Sequence, residues 1–89
     1  MAKVTIEKLD QATVEKRGIN RWPIWTKEIS RFDWSYDQTE ECLILEGEFS
    51  VETDEGTFHV KAGDFVTFAK GLTCVWNITS PVRKHYRFS

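Results

Sequence analysis

Glu40-Glu41-Cys42-Leu43-Ile44-Leu45-Glu46-Gly47-Glu48-Phe49 is the stretch on which the fold turns. Two acidic residues lead into an apolar run, a glycine breaks it, and alternation resumes with Phe49 and Val51 on one face. A period of two marks a strand with one buried side. It sets Glu40 on the same face as Cys42 and Ile44, the face expected to turn inward. A carboxylate leading a buried strand needs a reason: either it stands at the mouth of a pocket, or it is the solvated start of a strand.

Downstream, Asp54-Glu55-Gly56 is a hairpin signal. Residues 57–61 form its return strand, with Phe58 and Val60 inward and His59 outward. Turns at Ala62-Gly63-Asp64 and Ala69-Lys70-Gly71 bracket a short strand, Phe65 to Phe68. Residues 72–79 place Cys74, Trp76 and Ile78 on one face. Pro81 is expected to separate that strand from a last one, Val82 to Phe88, with Arg83, His85 and Arg87 on one side and Val82, Tyr86 and Phe88 on the other. Upstream, Asp37-Gln38-Thr39 is a polar turn, and residues 28–36 read as a strand with Phe32, Trp34 and Tyr36 on one face. Pro23 makes residues 22–25 an extended edge segment whose Trp22 and Trp25 cap the core. Residues 9–20 carry no helical stripe and read as loop or a single turn, and residues 3–8 as a strand with Val4 and Ile6 together. Seven to nine short strands and no helix imply an all-β sandwich or barrel.

A chain of 89 residues has room for one domain, 1–89, with a modest core. Hydrophobic residues at 40% and charged ones at 29% suit a globular domain rather than a disordered one. A net charge of −2 gives no electrostatic case for nucleic acid or a membrane surface. No apolar run is long enough to span a bilayer, and the N-terminus from Met1 lacks signal-peptide character, so the expected location is the cytoplasm. There Cys42 and Cys74 are expected to be reduced thiols. Four tryptophans and six phenylalanines are dense for this length; they fill a core or line a pocket for a flat ligand.

Glu40, six residues, then Gly47 resembles the second half of the first cupin motif, and Gly63, five residues, then Ala69-Lys70-Gly71 resembles the opening of the second. With Trp22-Pro23-Ile24-Trp25 near the start and Pro81-Val82-Arg83-Lys84-His85-Tyr86 near the end, the chain is similar to small single-domain cupins related to ureidoglycine aminohydrolase. The resemblance implies a double-stranded β-helix, or jelly-roll barrel, and makes a homodimer as plausible as a monomer. Metal-binding cupins carry His-x-His before the motif glutamate and a later His. Here those positions hold Trp34 and Tyr36, or Asp33 and Ser35, and then Cys74, so only Glu40 remains of the ligand set. No metal or other cofactor is therefore expected, apart from an atypical transition-metal site.

Glu40 on an inward face suits a general acid or base, or else a hydrogen-bonded glutamate at the barrel mouth. Cys74 is a nucleophile or soft ligand in one view and a small buried hydrophobe in the other. Glu40, Cys42, Cys74 and His85 form a minority zinc or copper set. Trp34, Tyr36 and Trp76 either stack on a ligand or close the barrel. The basic final strand, Arg83, Lys84, His85 and Arg87, reads as a solvated edge strand in preference to an anion site. Two functions follow. One is binding of a small organic molecule by Trp34, Tyr36, Glu40, Cys42, Cys74 and Trp76. The alternative is an enzyme acting on a small polar or nitrogenous metabolite, with Glu40 as acid or base and Cys74 or an atypical metal beside it.

Overall fold

A computed structural model describes residues 3–89; Met1 and Ala2, where the reading of the N-terminus begins, lie outside them. The elements in order are β1 (Val4–Lys8), α1 (Gln11–Lys16), a 3-10 turn (Ile19–Arg21), β2 (Ile24–Lys27), β3 (Ser30–Ser35), β4 (Glu40–Thr53), β5 (Gly56–Lys61), β6 (Asp64–Phe68) and β7 (Thr73–Phe88). All strand pairings are antiparallel.

The two long strands organise the rest. The first half of β4 lies between β6 and the end of β7, with Leu43 opposite Phe65 on one side and His85 on the other. Its second half lies between β5 and the start of β7, with Phe49 opposite Val60 and Ile78. Beside the first half β1 extends the sheet beyond β6 and β2 closes it along Val82–His85, and beside the second β3 edges it along Thr73–Ile78. The seven-stranded sheet thus branches at β4 and β7 into two arms around the main core, in which Val51, Val60, Val66, Phe68 and Ile78 are buried.

Gly47 makes the shared strand possible. Inward positions on β4 are even before it (Glu40, Cys42, Ile44) and odd after it (Phe49, Val51), so one extra residue must be absorbed. The pairing with β7 slips between Ile44 and Phe49, as a bulge does. Gly47 has φ +95, and a Cβ there would stand 2.1 Å from the Pro81 carbonyl oxygen.

Three expectations need correction. Residues 11–16 form a short helix, capped by the Asp10 carboxylate, which accepts from the Thr13 amide at 2.8 Å. One buried residue, Val14, holds it to Ile19 and Phe65 in a second cluster, too little for a helical stripe to register in the sequence. Pro81 does not end a strand: β7 runs through it, because its missing N–H falls where the ladder to β4 is already interrupted. Val4 and Ile6 share a side of β1 as expected, with Val4 buried and Ile6 exposed. The final strand is no solvated edge either, as β4 and β2 flank it.

Candidate functional site

The inward alternation of β3, β4 and β7, closed by β2, leaves a cavity of about 690 Å³. That volume lies in the usual range for small-molecule sites, about 300–1,000 Å³. Its walls are aromatic: Trp25, Phe32, Trp34 and Tyr86. At its buried end stand Tyr36, Glu40, Trp76 and Lys84, each at most 3% exposed.

These four form a connected group. Tyr36 donates its hydroxyl to Glu40 Oε1 at 3.1 Å, and Lys84 Nζ donates to Glu40 Oε2 at 2.8 Å. The ammonium also lies 4.7 Å from the ring centroids of both Trp25 and Trp76, a double cation–π contact. Trp76 stacks on Phe49 at 4.1 Å and meets Trp25 edge-on at 6.0 Å. Burial and then the Glu40 charge push the Tyr36 phenol far above its ordinary value, so it stays a proton donor. The Trp76 indole N–H lies beside the Tyr36 hydroxyl and opposes this shift, without reaching hydrogen-bonding geometry.

Trp34, Tyr36, Glu40 and Trp76 are thus brought to one cavity, as the sequence suggested. Cys42 and Cys74 are not on its wall; both are free thiols buried in the core. Cys42 points its Sγ to the Val66 carbonyl at 3.7 Å, and burial pushes its thiol up to about 12. Burial, followed by the Glu40 charge, pushes Cys74 up to about 11. Thiols held protonated and away from the cavity have the opposite of nucleophile character. Trp25 packs against the core, as expected, and also lines the cavity.

Lys84 was missed altogether as an inward residue. Its signal was present: on β7 the even positions Val82, Lys84 and Tyr86 share a face, and the positive charge alone suggested solvent. His85, one residue on, faces the other way and binds the Trp22 carbonyl through Nδ1 at 2.8 Å. The Glu40, Cys42, Cys74 and His85 set is therefore not assembled, and among the described residues no three His, Cys, Asp or Glu side chains group as metal ligands. An ammonium beside Glu40 also places a positive charge where a cupin metal would need a ligand. This donor set does not fit a divalent ion.

The described residues include no helix long and apolar enough to cross a membrane. Residues 14–86 match the EutQ-like cupin domain. A DUF861-family protein of solved structure from Thermotoga maritima has 47% identity and a TM-score of 0.93, covering 97% of this chain and 99% of that one. A DUF861-family protein of unknown function from Pseudomonas syringae has 26% identity and a TM-score of 0.68 over 74% of this chain and 29% of its own. A putative ethanolamine utilization protein Q from Salmonella typhimurium, at 24% identity, shares the fold with a TM-score of 0.67 over 96% of this chain and 68% of its own. No curated protein matches the chain. The matches point to cupins and do not single out ureidoglycine aminohydrolase.

Proposed function

The chain belongs to the EutQ-like cupin domain family, and from that premise we propose that it binds a small organic molecule in the aromatic cavity without a metal. The observation that carries this is the Tyr36–Glu40–Lys84 group at the buried end of the cavity. The motif glutamate is committed to a phenol and an ammonium, and tryptophan, phenylalanine and tyrosine rings surround the space beside it. Such a site offers stacking surface on its walls and a few fixed polar groups at one end, the usual build of a small-molecule pocket. We place the protein in the cytoplasm, where Cys42 and Cys74 stay thiols.

A thermal-shift screen of small polar and aromatic metabolites tests it. A true ligand raises the midpoint of the wild type and raises that of Trp25→Ala much less. Stoichiometric zinc, iron, manganese or copper in purified protein, lost in Glu40→Gln, would overturn the metal-free reading.

A second reading rests on the same group. A carboxylate bridging a phenol and an ammonium is a short proton path, which suits Glu40 as acid or base toward a polar or nitrogenous metabolite in the manner of ureidoglycine aminohydrolase. Cys74 has no part in it. Turnover of ureidoglycine that is abolished in Glu40→Gln, with folding retained, would favour the enzyme.

A further inference from the structure

Among the described residues Lys84 is the one buried lysine. Its Nζ lies 2.8 Å from Glu40 Oε2 and 4.7 Å from the ring centroids of Trp25 and Trp76. Those three neighbours line the cavity, as Lys84 itself does. Buried lysines beside a base are the ones that proteins use as amines toward carbonyl compounds. An amine attacks carbon only after a neighbouring base has taken its proton, and Glu40 is placed as that base. The Tyr36 hydroxyl donates to Glu40 Oε1 at 3.1 Å, which leaves Oε2 to the lysine.

Two other lysines each have half of this arrangement. Lys27 lines the cavity with its ammonium 5.5 Å from the Phe32 centroid, and no carboxylate holds it among the described residues. Lys8 pairs with Asp64, but its side chain is 66% exposed and outside the cavity. The charge of the product selects the reaction at Lys84. An iminium keeps the single positive charge of the ammonium, so Glu40 and the tryptophan rings retain their cation. An amide would be neutral and would leave the Glu40 carboxylate buried without a partner. The walls, Phe32, Trp34 and Tyr86 beside Trp25, favour a carbonyl carried on a flat ring.

We infer that Lys84 forms an iminium with an aromatic aldehyde held in the cavity. This rests on the binding function proposed above and deepens it, by naming the ligand class and the atom that holds it. Glu40 takes one proton from the ammonium and returns it to the aldehyde oxygen as the C–N bond forms. A second nitrogen proton follows the same route, the C–O bond breaks, and the oxygen leaves as water while the C=N bond forms. The third proton stays on the iminium, which pairs with the Glu40 carboxylate.

Benzaldehyde and benzyl alcohol, which share a ring and differ at the carbonyl, test this on the wild type. Binding of each is read from the Trp25 and Trp34 indole signals in ¹H–¹⁵N spectra. Sodium cyanoborohydride, which reduces an iminium to a secondary amine, is then added with one equivalent of benzaldehyde, and the benzyl group is located by peptide mass mapping. Lys84 is expected to carry it at least about tenfold more than Lys27 or Lys8, a small part of what holding two reactants together can supply. Lys84→Arg keeps a cation against Glu40, has no amine to condense, and should lose the adduct. Should that variant fail to fold, the wild-type map decides alone. Benzaldehyde that moves the cavity indoles but leaves no adduct on Lys84, or labels Lys27 or Lys8 as heavily, overturns the iminium and leaves the binding function standing. If neither compound moves a cavity indole and no adduct forms, both fall.

Discussion

Glu40 and Glu41 are neighbours on opposite faces of β4, and each meets a cation of β7 that also lies over tryptophan. Inside, Glu40 holds Lys84 at 2.8 Å, with the ammonium 4.7 Å from the Trp25 and Trp76 centroids. Outside, Glu41 holds Arg87 at 2.7 Å, with the guanidinium 4.6 Å from the Trp22 centroid. The distances are nearly the same; the solvent is not. Side-chain exposure is 4% for both inner partners but 54% and 20% for Arg87 and Glu41. Water screens the outer pair and hydrates whichever partner is left when the other is removed. The inner pair has given up its hydration, so each charge depends on the other. A buried ion pair is weak evidence for stability, so its place at a cavity speaks for use.

The largest effect should come from breaking the inner pair on one side. Lys84→Ala leaves the Glu40 carboxylate buried without its cation and is expected to cost about 3–5 kcal/mol in urea unfolding. Glu40→Gln combined with Lys84→Met keeps an acceptor for the Tyr36 hydroxyl and removes both charges. It should recover most of that loss. A double variant as unstable as Lys84→Ala would mean that packing around Lys84, rather than its charge, sets the cost.

Next comes Gly47, whose bulge gives β4 its inward face on both sides of the bend. An alanine there combines a left-handed backbone with a Cβ 2.1 Å from the Pro81 carbonyl oxygen. Gly47→Ala is expected to cost about 3 kcal/mol, and its ¹⁵N spectrum should change around both Lys84 and Arg87. A change confined to one face would show that β4 and β7 are not held in common register by this bulge.

The thiols report how dry the inner side is. Cys42 and Cys74 rise from 9.0 to about 12 and about 11, and Tyr36 rises from 10.0. The unfolded chain therefore loses these protons first. Stability is at its full value below pH 9 and falls as pH climbs from 9 towards 11–12, by about 2 kcal/mol per thiol at pH 10.5. Urea melts from pH 8 to 10.5 measure this, and replacing both cysteines by alanine should flatten much of the slope. An unchanged slope would mean that the thiols are solvated.

Much of this molecule could be read from alternation alone. The inward Phe49, Val51, Cys74, Trp76 and Ile78 and the gathering of Trp34, Tyr36 and Glu40 all follow from a period of two, and the hairpin follows from its turn residues, Asp54-Glu55-Gly56. What escaped was what alternation does not encode. Six residues of helix carry too few buried positions to show periodicity. Pro81 reads as a stop unless one knows that the partner strand bulges opposite it. Lys84 obeys the alternation, yet lysine is so rarely buried that its basic strand reads as a solvated one. A charge inside a sheet has meaning only with its partner, and Glu40 lies 44 residues away in the chain. The cysteines erred in the other direction: sequence brought them to the inner side, but cavity and core share that side, and only the packing tells which of them a residue reaches.

The smallest effect belongs to the outer pair, and it is the control that gives the comparison its force. Arg87→Ala removes a cation as close to its carboxylate as Lys84 is to Glu40. If distance set the energy, the two variants would match. Burial predicts instead a loss below about 1 kcal/mol, since Glu41 is left facing water. Salt sharpens the contrast: at 1 M the screening length falls to about 3 Å, which removes most of what the outer pair contributes and leaves the buried one little changed. Melts of both variants at low and high salt should therefore converge with the wild type for Arg87→Ala and stay far apart for Lys84→Ala. Equal losses at both positions would mean that the tryptophan contacts, common to the two cations, outweigh the ion pairs.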